Sequence, residues 1–164
     1  MVLVRIASLS VDSSTNQPVI ILRPDEEELP GRVVPIWIGQ HEATAILLAL
    51  QGIEPPRPMT HDLIANMLEA MDVIIERVEI TRLENGVFFA ALVLRGEGST
   101  IVIDARPSDS IALAVRARAQ IFIAKAVLNE AAIPEPTVPK TEQEDEVERF
   151  REFLDHVDPA DFQG

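Results

Sequence analysis

Val2 to Val11 alternates apolar and polar side chains and is rich in β-branched residues, the period of a half-buried strand. The polar run DSSTNQ (12–17) interrupts it, PVIILR (18–23) reads as a second strand, PDEEELPGR (24–32) as a polar turn and VVPIWI (33–38) as a third strand. At Gly39 the period changes. In QHEATAILLALQG the apolar residues Ala43, Ile46, Leu47 and Leu50 recur at helical spacing, and Gly52 ends the helix. IEPPRP is a stiff connector, because Pro55, Pro56 and Pro58 fix φ and exclude helix. Thr60 is placed to cap a second helix, THDLIANMLEAM.

The second half repeats the order. VIIERVEIT, the turn LENG, VFFAALVL, the turn RGEGS and TIVID predict three more strands, and Asn85-Gly86 is a strong hairpin signal. The helix SDSIALAVRAR follows, then a short strand IFIA and a short helix over Lys125 to Ala132. The pattern predicts an α+β fold of antiparallel or mixed strand meanders with interleaved helices. Shifting the chain by 67 residues lays VPIWIGQHEATAILLA over IVIDARPSDSIALAVR, with Glu42 on Asp109 and Ile46 on Leu113. Identity is almost nil, so an internal βββα duplication is a hypothesis from pattern alone. After residue 133 the proline-spaced PEPTVPK reads as a linker. In EDEVERFREFLDHV, Val147, Phe150, Leu154 and Val157 share one stripe under an acidic face, an amphipathic helix expected to dock on its own or a neighbouring subunit. The expected division is a domain over 1–133 and a linker with acidic helix over 134–164.

Length and composition narrow the class. The 164 residues suit one core with an appendage, and the absence of cysteine removes disulfides, thiolate metal sites and cysteine nucleophiles. That absence fits a reducing compartment, so a cytoplasmic location is expected. The longest apolar stretch, Val33 to Leu50, holds His41 and Glu42 in its middle, so no membrane span is expected. The net charge is −13, and ten acids against three bases fall from Glu135 onward. Such a surface repels nucleic acid, because non-specific binding rests on Lys and Arg neutralising phosphates. Any nucleic-acid role therefore needs a local arginine patch or a metal bridging carboxylate to phosphate.

Several familiar sites are excluded. HEATA has Ala45 where a zinc-protease helix has its second histidine, and RGEGST leads into a strand, not into a phosphate-binding helix. What remains is a set of carboxylates at helix starts, Glu42, Asp62 and Asp109, with Asp104 at a strand end. Any one of them is explained by the helix dipole, which favours acids in a first turn by about 0.3–1 kcal/mol, and Asp62 has Arg57 nearby to pair with. The cluster DARPSD is denser. Asp104 leaves a strand, Arg106 follows, and Ser108 and Asp109 open a helix whose free N–H groups attract anions. Asp104 and Asp109, with Glu42, are the candidate ligands for Mg²⁺ or Mn²⁺. Arg106, Ser108 and Arg57 are the candidate phosphate contacts. His61 beside Asp62 is the candidate for proton transfer, and a structural Asp104–Arg106 pair pinning the turn is the rival account. Trp37 is expected in the core or an interface.

PIWIGQHEA, RPMTHDL and DARPSDSIALAVR, in this order and at these intervals, resemble the bifunctional nuclease domain family over about residues 1–133. The resemblance implies a compact α+β domain that assembles as a homo-oligomer and cleaves DNA and RNA. The family's recurring polar positions fall on Glu42, Thr60, His61, Asp62, Asp104, Arg106, Ser108 and Asp109. The expected function is a metal-assisted nuclease in which His61, Asp62, Asp104 and Asp109 carry the chemistry. With few aromatics and no tyrosine it would bind nucleic acid weakly, and less as salt rises. The alternatives are a non-catalytic oligomeric protein using the DARPSD loop as a joint or anion site, and a regulatory module whose acidic tail screens a basic partner.

Overall fold

The computed structural model describes residues 1–24 and 29–135. Residues 25–28 and residues 136–164, most of the linker and amphipathic helix expected over 134–164, lie outside the described residues. Among the described residues no helix is long and apolar enough to cross a membrane.

Six long strands form two meanders. β1 (Val2–Asp12), β2 (Gln17–Pro24) and β3 (Arg32–Trp37) pair antiparallel in sequence order, and so do β4 (Ile74–Glu84), β5 (Val87–Gly96) and β6 (Ser99–Ala105). The β4–β5 hairpin turns on Asn85 and Gly86, both at positive φ (52° and 78°). That is the geometry for which the Asn-Gly pair is suited. Each meander leads into a helix, α1 (Gln40–Leu50) after β3 and α3 (Pro107–Ala117) after β6. The two halves thus share the strand order that the 67-residue shift suggested.

The joining of the halves was not visible in the sequence. β7 (Gln120–Ile123) inserts between them, parallel to β4 and antiparallel to β1. A two-residue strand, β8 (Ile133–Pro134), adds to β3 after the short helix α4 (Lys125–Ala131). The result is one eight-stranded mixed sheet in the order β6-β5-β4-β7-β1-β2-β3-β8. The α+β reading holds, and the alternating faces of β1, β2, β4 and β7 explain why a single sheet forms. Val2, Val4, Ile20, Leu22, Val78, Ile80, Ile121 and Ile123 all turn inward to one core.

Ile46 of α1 and Ile111 of α3 are fully buried in that core. Burial of such a side chain is worth about 1.5–3 kcal/mol, whereas an exposed ion pair is worth at most about 1 kcal/mol. The apolar seat, not the polar groups at their N-termini, therefore holds these helices. α2 (Thr60–Ala70) differs: His61 is its one buried residue, and Leu63, Met67 and Met71 remain exposed. Trp37 is not in the core. It is half exposed at the end of β3, and its indole Nε1 donates to Asp12 Oδ2 at 2.9 Å.

Candidate functional site

Three helices start at one place, and each carries an acid at its third residue: Glu42 in α1, Asp62 in α2 and Asp109 in α3. The dipole preference that makes such acids ordinary one at a time becomes a site when three first turns converge. They stand beside an open cleft of about 890 Å³, walled by Arg57, Thr60, His61 and Arg106, with Leu92 and Ile103 on its sheet side.

Arg106 is the centre of the polar contacts. It is the N-cap residue of α3, and its side chain bridges two helices. Nη2 lies 2.7 Å from Glu42 Oε1, and Nε donates to Asp109 Oδ2 at 2.7 Å. The Asp109 carboxylate binds on its other side to His61, whose Nε2 is 3.0 Å from Oδ1. Burial disfavours the charged form of Asp109, but the bonds from Arg106 and His61 outweigh it and hold the carboxyl below its ordinary value. An ionised carboxylate only accepts, so Nε2 of His61 carries the proton and donates, which leaves Nδ1 as the basic atom of the neutral ring. The guanidinium of Arg106 is held more basic than usual, first by Asp109 and then by Glu42.

Gly39, the N-cap of α1, makes room for this arrangement. The Glu42 side chain folds back over it so closely that a Cβ at position 39 would lie 2.2 Å from Oε2. The connection to α2 is made by Asp62. It accepts from the Met59 backbone N–H at 2.9 Å and from Arg116 Nε at 2.5 Å. Burial opposes its charge too, yet Arg116 and the Met59 N–H together lower its pKa. Arg116 Nη1 also donates to the carbonyls of Ala45 and Ala112, at 3.1 and 2.9 Å, so one guanidinium ties α1, α2 and α3.

The expected site residues divide accordingly. Glu42, His61, Arg106 and Asp109 form one connected chain of contacts, and Arg57 and Thr60 line the same cleft. Asp62 belongs to the neighbouring latch: its partner is Arg116, not Arg57. The helix cap is Met59, so Thr60 is the first helical residue and does not cap α2. Ser108 is buried under the first turn of α3 and does not line the cleft. Asp104 is separated from the cluster by strand geometry. Ile103 and Ala105 face the cleft, so the exposed Asp104 between them leaves β6 on the opposite face. The Asp104–Arg106 pair does not form, since Arg106 turns to Glu42 and Asp109.

The carboxylates do not fit a metal held by the protein alone. Asp104 faces away, Glu42 and Asp109 are bridged by Arg106, and among the described residues no three His, Asp or Glu side chains converge as ligands. Two contributors were not singled out in the sequence, Gly39 and Arg116. Arg116 had a readable signal, since it lies seven residues after Asp109, two turns along the same face of α3.

An uncharacterized protein of Mycobacterium tuberculosis is 44% identical to this chain over 98% of both. Bifunctional nuclease 1 of Oryza sativa subsp. japonica is 27% identical over 77% of this chain and 39% of its own length, and Bifunctional nuclease 1 of Arabidopsis thaliana is 27% identical over 66% and 34%. The family model for the bifunctional nuclease domain matches residues 20–136. That span leaves out β1 but contains most of β2, the strands from β3 onward, the four described helices and every residue of the cluster, and the chain belongs to the bifunctional nuclease domain family.

Proposed function

We propose that this chain is a nuclease that hydrolyses phosphodiester bonds of DNA or RNA in the cleft at the α1, α2 and α3 N-termini. The observation that carries the reading is the contact chain Glu42–Arg106–Asp109–His61 at the edge of that cleft. Arg106 is largely exposed despite its two carboxylate partners, and its Nη1, which has no partner among the described residues, can donate to a phosphate while Nε and Nη2 stay on Asp109 and Glu42. Arg57 adds a second positive charge on the cleft wall. With the phosphate so held, His61 Nδ1 accepts the proton of an attacking water, and Asp109 stabilises the imidazolium that forms. The water oxygen bonds to phosphorus, the bond to the leaving sugar oxygen breaks, and the proton on His61 is then available to that oxygen.

Mg²⁺ or Mn²⁺ belongs to the proposal as an ion arriving with the substrate phosphate, near Glu42 and Asp109. It would neutralise phosphate charge there. The homo-oligomer is likewise proposed, with Leu63, Met67 and Met71 on α2 as the face it would cover.

The test is cleavage of plasmid DNA and structured RNA by purified protein with Mg²⁺, with Mn²⁺ and with EDTA, beside Asp109→Asn prepared identically. Cleavage lost in the variant supports the reading. Equal cleavage by both proteins, or none by the natural chain, removes it.

A further inference from the structure

The eight-stranded sheet ends differently at its two edges. One edge is β8, two residues long and carrying Pro134. Short strands and proline keep a sheet from adding another strand. The other edge is β6, seven residues with no proline, lysine or arginine and no register shift against β5. Ile101, Val102 and Ile103 are all exposed there, Val102 by 64%. Such an edge offers unpaired N–H and C=O groups beside apolar side chains, a template for a further strand.

The side chains of β6 suit a second copy of β6. Turned about a two-fold axis at Val102, the second strand overlaps the first over its whole length. Val102 then meets its own copy, Ile101 meets Ile103, Thr100 meets Asp104 and Ser99 meets Ala105. An axis at Ile101 or Ile103 would shorten the overlap and set Asp104 against Gly98 or Val102. The charges fit the same register. Asp104 has no ion pair among the described residues. Arg95, the β5 partner of Thr100, has a side chain 60% exposed and approaches Glu76 no closer than 3.8 Å. Arg95, Thr100 and Asp104 of the partner subunit fall in one row on one face of the joined sheet, the outer two about 10 Å apart at the backbone. Arg95 reaches over Thr100 to that carboxylate, once at each end of the joint.

We propose that two copies of this chain pair through β6, antiparallel about Val102, and so join two eight-stranded sheets into one. The inference rests on the homo-oligomer reading above and names its joint. Ile103 and Ala105 wall the cleft, and the pairing sets Ile101 of the partner subunit beside Ile103. Each cleft thus takes part of its sheet-side wall from the other copy. A two-fold axis through the sheet keeps both helix sides together, so the two clefts share one face of the assembly. α2 lies on that side as well, because its Ile64 shares the cleft with Ile103.

Sedimentation equilibrium of the full chain, without nucleic acid, tests the pairing. The natural chain is expected to be an even-numbered assembly, and Val102→Lys, which opposes two ammonium groups at the axis, to halve its mass. Near-UV circular dichroism of this variant should be unchanged, since Val102 is exposed in the single chain. Asp104→Arg is expected to weaken association at least tenfold, and Asp104→Arg with Arg95→Glu to restore it to within threefold. The chain has no cysteine, so single cysteines report contact directly. Under mild oxidation Val102→Cys is expected to form a disulfide-linked dimer, because directly opposed residues lie within disulfide reach. Val87→Cys is also at an exposed position but stands about 20 Å along β5 from the axis, and is expected to stay unlinked. A monomer, an odd-numbered assembly, a mass unchanged by Val102→Lys, association untouched by Asp104→Arg, or linkage through Val87→Cys and not Val102→Cys overturns the joint. Mass and linkage are read without cleavage, so failure here and failure of the nuclease reading are separable.

Discussion

His61 Nε2 and Asp109 Oδ1 lie 3.0 Å apart although 48 residues separate them in the chain. The contact joins the first turn of α2 to the first turn of α3 and fixes which ring nitrogen of His61 keeps a lone pair. Asp109→Asn keeps the size of the side chain but removes the charge that orients His61 and holds Arg106. Cleavage is expected to fall at least about 100-fold, the scale of a lost general-base arrangement. The fold should persist, because Ile111 and Leu113 still seat α3 in the core. Near-UV circular dichroism beside the cleavage assay checks both halves of this expectation.

Asp104→Asn should behave in the opposite way. Asp104 lies on the other face of β6 from the cleft, so cleavage rates within about twofold of the natural chain are expected, since surface changes away from a site have small effects. A large loss with an intact fold would return Asp104 to the site.

Arg116 is largely buried and bonds to Asp62 and to carbonyls of α1 and α3. Removing one partner of such a pair leaves the other charge without compensation, so Arg116→Gln is expected to cost about 2–4 kcal/mol in urea unfolding. Lysine should not rescue it, because an ammonium cannot reproduce the forked contacts of the guanidinium. Asp62→Asn combined with Arg116→Gln should cost less than the sum of the two single changes, measured as a double-mutant cycle.

Stability should depend on acid in a defined direction. Asp62 and Asp109 both have folded-state pKa values below the ordinary one, so the unfolded chain binds their protons first as pH falls. Their contribution is complete above the unfolded value of about 3.9 and is lost as pH drops toward and through the folded values. The urea midpoint is expected to be flat near neutrality with respect to these groups and to fall below about pH 4. The Asp62→Asn variant should show a shallower fall over the same range.

Gly39→Ala tests the packing of Glu42. The backbone at Gly39 is ordinary, with φ −74°, so the added methyl acts only by pushing the Glu42 carboxylate away from Arg106. Its cleavage kinetics should match those of Glu42→Gln within about twofold, with little change in thermal midpoint. Kinetics equal to the natural chain would show that Glu42 finds another route to Arg106.

Much of the local structure was legible. The period of two in β1 and the change to helical spacing after Gly39 come from burial on one face, which is written into neighbouring residues. Asn85-Gly86 specified its turn because both residues tolerate positive φ. Of the two places expected for Trp37, the core is excluded: an apolar strand context does not reveal that its last residue passes the rim of the core. The pairing of Asp62 with Arg116 and not Arg57 was hidden for a related reason: 54 residues separate the partners, and only the docking of α2 on α3 brings them together.

The sequence by itself determined the elements, the three acids at helix starts, the arginine beside one of them and the family to which the chain belongs. These depend on periodicity, capping and short motifs, all of which act within a few residues. The tertiary structure decided which of those groups meet. Insertion of β7 between the two meanders set the sheet order, and α1, α2 and α3 came together on that frame. The pleat of β6 then turned Asp104 away while the first turns of the helices gathered Glu42, His61, Arg106 and Asp109. Long-range strand order and helix docking are collective results of packing the whole core, so no local stretch of sequence contains them.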